Sequence, residues 1–120
     1  ADKICILGVT GTRLDHVLGN LGLLNMALNN NIECYIRDSN NLILLTNKDI
    51  VLEDKGYKYI SFQAFGNDVE GFSIIGAKYE VENNILSFGE GKFISNEFLD
   101  NKKINIKFKK GKILIIYSKD

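Results

Sequence analysis

The hydrophobic period of this chain changes once, near Asp38-Ser39-Asn40-Asn41, and that change limits the fold more than any other feature. Before it, Lys3-Ile4-Cys5-Ile6-Leu7-Gly8-Val9 is continuously apolar after the lysine and includes a glycine, which predicts a strand covered on both faces in a parallel sheet. Leu14, Val17, Leu18, Leu21, Leu24 and Leu28 then recur at helical spacing until Asn29-Asn30-Asn31 ends the element. Ile32 to Ile36 reads as a second strand. A strand, helix and strand in this order form one βαβ unit, whose right-handed crossover sets the two strands parallel.

After the polar cluster the period is two. Leu42 to Thr46, Ile50 to Leu52, Tyr57 to Phe65, Gly71 to Ile75, Ala77 to Val81, Lys103 to Lys109 and Lys112 to Tyr117 are short β-rich runs. Asp54-Lys55-Gly56, Gly66-Asn67-Asp68, Glu82-Asn83-Asn84 and Lys110-Gly111 stand where turns are needed. The expected fold is mainly β with one α/β piece: residues 1–40 as strand, helix and strand, and residues 41–120 as an antiparallel β-sandwich or barrel. Leu86 to Phe98 lacks clean alternation and mixes glycines, aromatics and small polar groups, the composition of a loop that carries function.

Lys and Arg equal Asp and Glu in number, so there is no global attraction to nucleic acid or an anionic membrane, and any phosphate contact has to be local. No apolar run approaches the roughly 20 residues that cross a bilayer, and no secretory leader is visible; the expected compartment is the cytoplasm. Cys5 and Cys34 each lie in an apolar run and are expected as buried free thiols. The chain starts without methionine and almost at once enters a strand, so it is expected to be cut from a longer protein.

Two stretches carry candidate chemistry. Gly8-Val9-Thr10-Gly11-Thr12-Arg13-Leu14-Asp15-His16 turns from strand to helix through glycines that let backbone N–H groups approach an anion, with the helix's positive end behind them. Arg13 adds a planar cationic fork, and Thr12 is the expected N-cap with Asp15 as its capping-box partner. Arg13, His16 and Asn20 share one stripe. A solvated helix edge, with Asp15 favoured by the helix dipole, accounts for the same pattern. His16 is the only histidine, which removes a histidine-based metal cluster. Ser95-Asn96-Glu97, between Phe93-Ile94 and Phe98, puts hydroxyl, amide and carboxylate on an apolar wall that suits a flat polar ring; a turn between strands is the competing reading. Neither a serine triad nor a Walker phosphate loop fits these residues.

Together, Ile6 to His16 with Asn20, the later Ser95-Asn96-Glu97-Phe98 and the ending Lys110 to Asp120 resemble bacterial thiamine pyrophosphokinase. The resemblance implies transfer of a pyrophosphoryl group from ATP to the thiamine hydroxyl, giving thiamine diphosphate and AMP with Mg²⁺. It implies a Rossmann-like catalytic domain followed by a thiamine-binding β-sandwich, in a homodimer with sites between subunits. Carried over, Arg13 faces phosphate oxygens, Asp15 lies near the magnesium and the hydroxyl, and Ser95 and Asn96 meet the aminopyrimidine. Thr12, His16 and Asn20 are supporting positions. Thr12 stands where the family usually has a second glycine, and the family's aspartate-rich magnesium segments lie upstream of the counterpart of Ile4. The resemblance thus implies a C-terminal portion, inactive by itself. A non-catalytic ligand-binding or dimerisation β-module is the alternative; an oligonucleotide-binding barrel is opposed by the neutral charge balance.

Overall fold

The computed structural model describes residues 3–7 and 13–119. β1 (Lys3–Leu7) is followed by a single helix among the described residues, α1 (Leu14–Asn29), then by β2 (Glu33–Arg37), β3 (Asn41–Thr46), β4 (Ile50–Leu52) and β5 (Tyr59–Ala64). β6 (Val69–Ile75), β7 (Val81–Leu86), a 3-10 turn at Gly91–Phe93, β8 (Ile104–Lys107) and β9 (Ile113–Ser118) complete the order. The chain is mainly β with one helix and two sheets, of order β1-β2-β3-β9-β5 and β4-β8-β6-β7. β1 and β2 are parallel, as the crossover rule requires, and β2 continues antiparallel into β3. The first sheet therefore runs unbroken past residue 41.

Alternation along the strands builds two hydrophobic layers. Ile60, Phe62 and Ala64 of β5 with Ile113, Ile115 and Tyr117 of β9 share one buried cluster with Phe72 and Ile74 of β6 and Ile104 and Ile106 of β8. Each buried Ile or Phe among them contributes about 1.5–3 kcal/mol by leaving water. The outer face of the first sheet presents Ile36, Leu45 and Leu114 to Leu24 of α1. Ser61 and Gln63 lie on that same outer face, opposite Ile116 and Leu114 in register.

Most expected strands are found within a residue or two of their predicted ends; other expectations need correction. Among the described residues β1 is not covered on both faces: it pairs with β2 alone, Ile6 is its one residue in the helix-side cluster, and Cys5 is exposed. Cys34 is half-buried, and that burial pushes its thiol pKa up. The leucine stripe is buried only where the second half of α1 rests on β2 and β3; Leu14 and Leu18 remain exposed. Arg13, in extended conformation, is the N-cap and no side chain caps the helix; Thr12 lies outside the described residues. Finally, Ala77–Val81 is not a strand. Gly76 N–H donates to Glu80 Oε2 (2.6 Å) across a turn, and Glu82-Asn83-Asn84 lies inside β7, where Asn83 has φ +52° beside shifts in register. An exposed edge strand needs no apolar alternation, so its polar letters resemble a turn.

Tyr117 is the buried group with the largest pH consequence. Its hydroxyl donates to the Glu53 carbonyl (3.1 Å), and its side chain is 1% exposed. Burial, then the charges of Asp54 and Glu53, push the phenol from an ordinary value of 10.0 up to about 12. The folded state thus holds a proton that the unfolded state releases. The associated stability, on the order of 2 kcal/mol, is complete below pH 10 and lost as pH rises toward 12. Urea midpoints between pH 9 and 12 are expected to fall for the parent chain and to flatten in Tyr117→Phe; equal slopes would refute this origin.

Candidate functional site

The segment around Ser95 is held at the free edge of β5. Asn96 N–H donates to Ile60 O and Ile60 N–H donates to Asn96 O, both at 2.8 Å, extending the sheet by one pair. Two aromatic anchors flank it: Phe93 meets Phe72 edge-on (5.2 Å between centroids), and Phe98 stacks on Tyr117 (5.9 Å). Asn96 is 4% exposed, and its carboxamide is largely committed. Oδ1 accepts from Tyr79 N–H (3.0 Å) and Glu97 N–H (2.9 Å), while Nδ2 donates to Tyr79 O (2.8 Å). Those partners fix which end is oxygen and leave one Nδ2 hydrogen for another acceptor. Lys78 adds a second tie, pairing with Glu97 Oε2 at 3.3 Å, which raises its pKa.

Ser95 itself is exposed, with φ +63°, and its N–H donates to the buried Ser61 Oγ (2.9 Å). The left-handed backbone, rare outside glycine and asparagine, fixes its direction. Two residues along the same face of β5, Gln63 accepts from Gly89 N–H (2.6 Å) and donates to Glu90 O (2.9 Å). Nothing in the local sequence marks Ser61, Gln63 or Tyr79 for these roles, since each bond joins distant parts of the chain.

At the other candidate stretch, Arg13 Nη2 pairs with Asp15 Oδ2 at 2.6 Å, and Asp15 Oδ1 accepts from His16 N–H at 2.9 Å. All three residues are exposed and Asn20 is half-buried. The ion pair is solvated and contributes little to stability, which leaves both groups available to a ligand. Residues 8–12, including the glycine turn and Thr12, lie outside the described residues. Among the described residues no cluster of three or more His, Cys, Asp or Glu could hold a metal; this region offers the single carboxylate of Asp15.

The two stretches share the outer face of the first sheet without meeting. α1 rests on β2 and β3, and Ser95 on β5 beyond β9, so the supporting strands are about 10 Å apart. Among the described residues, no hydrogen bond or ion pair joins them. A cavity of about 800 Å³ lies elsewhere, between Tyr35 and Leu44 and the β4 edge, and its lining contains none of Arg13, Asp15, Ser95 or Asn96. Lys3 and Arg37 stand over the Tyr35 ring there, a feature the sequence reading did not single out. No helix among the described residues is long and apolar enough to cross a membrane.

Residues 47–113, which contain Ser95, Asn96 and the residues that hydrogen-bond to them, match the family model described as thiamin pyrophosphokinase, vitamin B1 binding domain. The chain belongs to the thiamine pyrophosphokinase family. It is 34% identical to thiamine pyrophosphokinase of Bacillus subtilis (strain 168), over 99% of this chain and 56% of that one. A crystal structure of the B. subtilis protein superposes with a TM-score of 0.91 at 35% identity, covering 100% of this chain and 56% of that chain. The thiamin pyrophosphokinase of Geobacillus thermodenitrificans gives 0.82 at 28% identity, over 98% and 54%. This thiamine pyrophosphokinase family chain thus spans little more than half the length of these relatives.

Proposed function

We propose that this chain supplies the thiamine-binding part of a thiamine pyrophosphokinase, which transfers pyrophosphate from ATP to the hydroxyl of thiamine and releases AMP. In this reading residues 41–120 are the β-sandwich, and residues 1–40 are the last strand, helix and strand of a Rossmann-like catalytic half. The observation that carries it is the rigid Ser95-Asn96 segment, held from Ser61, Ile60 and Tyr79 inside residues 47–113. The Ser95 hydroxyl and the remaining Asn96 Nδ2 hydrogen bond the edge of the aminopyrimidine ring. Arg13 meets phosphate oxygens, Asp15 orients the thiamine hydroxyl, and Thr12, His16 and Asn20 support them. Magnesium commonly binds through one or two carboxylates and the substrate phosphates, so Asp15 fits as one of its ligands. When bound, the ion neutralises phosphate charge; the protein's own share of phosphoryl transfer is alignment and charge stabilisation.

The separation of Arg13 from Ser95 favours a homodimer in which each site draws these residues from different subunits. The protein works in the cytoplasm, and the one carboxylate that the described residues place beside Arg13 is too little for the chain to act as a kinase unaided. Calorimetric titration with thiamine tests the reading. Ser95→Ala is expected to bind about tenfold more weakly, or ~1.4 kcal/mol, and no AMP is expected when the chain receives ATP, Mg²⁺ and thiamine. Unchanged affinity would remove the role of Ser95, and AMP release at an enzyme-like rate would overturn the inactivity.

A further inference from the structure

Among the exposed apolar side chains, Phe88 is 75% exposed, yet the loop that bears it is fixed. Gly89 has φ +80°, Glu90 N–H donates to Ser87 O (3.3 Å), and both ends of the Gln63 carboxamide grip the backbone immediately after Phe88. The half-buried Gln63 spends both ends of its carboxamide on the backbone that follows Phe88, so the direction in which the loop presents that ring is set from β5. Ser61 and Gln63 are separated by one residue, so their side chains leave the same face of β5 about 6.6 Å apart along the strand. One holds Ser95 and the other holds the Phe88 loop. The Ser95 segment and the Phe88 loop are thereby held from the same face of one strand, two residues apart.

We propose that Phe88 is a specificity-determining residue of the ring site, giving an apolar face to a planar heteroaromatic ring whose polar edge meets Ser95, and that Gln63 is its positioning residue. This rests on the thiamine-site reading above. A ring carried on an immobilised loop loses little conformational freedom on binding, which is where its contribution to affinity comes from.

Thiamine titration of the full chain tests the proposal, with thermal melts in parallel. Phe88→Ala is expected to weaken binding about tenfold with an unchanged melting temperature, because the exposed ring supports nothing in the fold, and Phe88→Tyr is expected to restore it. Gln63→Leu is expected to weaken binding to a similar extent, and the double variant no further than either single one, since both act through the same ring. Normal binding by Phe88→Ala alongside weakened binding by Ser95→Ala would overturn the proposal and leave the thiamine site standing. Additive losses in the double variant would overturn the role of Gln63. No binding by the unaltered chain, or binding indifferent to Ser95→Ala, would remove the site itself and this proposal with it.

Discussion

Replacing Asn96 by alanine is expected to cost about 3 kcal/mol of stability, far above the usual effect of a polar substitution. The side chain answers three backbone groups at once, Tyr79 N–H, Tyr79 C=O and Glu97 N–H, and is itself 4% exposed. Alanine leaves all three without those partners. A buried polar group stripped of its bond costs about 1–3 kcal/mol; the exposure of the neighbouring Tyr79 ring lets water recover part of that, which sets the total near the lower end of the sum. Asn96→Asp separates the contributions. A carboxylate still accepts from the two N–H groups but cannot donate to Tyr79 O, so roughly half the loss is expected. Urea unfolding monitored by tyrosine fluorescence measures both variants, and a loss in Asn96→Ala below about 0.5 kcal/mol would show that this network does not hold the segment. Thiamine binding is expected to fail together with the fold of this region, whereas in Ser95→Ala it weakens in an intact protein.

That contrast shows what was legible in the sequence. Ser95-Asn96-Glu97 stands out because three hydrogen-bonding types interrupt aromatic residues, and the period of two predicts a strand over Tyr57 to Phe65, where β5 runs from Tyr59 to Ala64. The supports of the site were invisible, because Ser61 lies 34 residues from Ser95 and Gln63 lies 26 from Gly89. Such bonds are decided by strand order, which local patterns do not specify. The helix failed differently. Its leucine spacing predicts one continuous apolar face, but burial depends on what lies beneath, and only the half over β2 and β3 has a partner among the described residues. Polar Glu82-Asn83-Asn84 resembles a turn for the complementary reason: among the described residues β7 closes the edge of its sheet and pairs its backbone on one side.

Gly76→Ala is the other large expected effect, and it tests whether the site's geometry is set by the close approach of two backbones. Gly76 has φ +94°, and a Cβ there would stand 2.4 Å from the carbonyl oxygen of Lys103. The left-handed conformation costs an L-residue about 1–2 kcal/mol, and the overlap requires movement of one of two chains that are already paired, Ile75 with Asn105. About 3–5 kcal/mol is therefore expected, the scale of a lost core side chain. Gly56→Ala is the matched comparison, with φ +84° and nothing within 4 Å of the new Cβ, so it carries the conformational cost alone. The difference in urea midpoint between the two variants isolates the overlap. The consequence reaches the site directly, because the next residue, Ala77, pairs with Phe98, and Lys78 N–H donates to Glu97 O (3.0 Å). Displacing residue 76 thus moves the turn on which Asn96 is anchored. Equal losses in Gly76→Ala and Gly56→Ala would mean that the Lys103 carbonyl yields freely, and that the Ser95 segment owes its position to the Asn96 and Ser61 bonds alone.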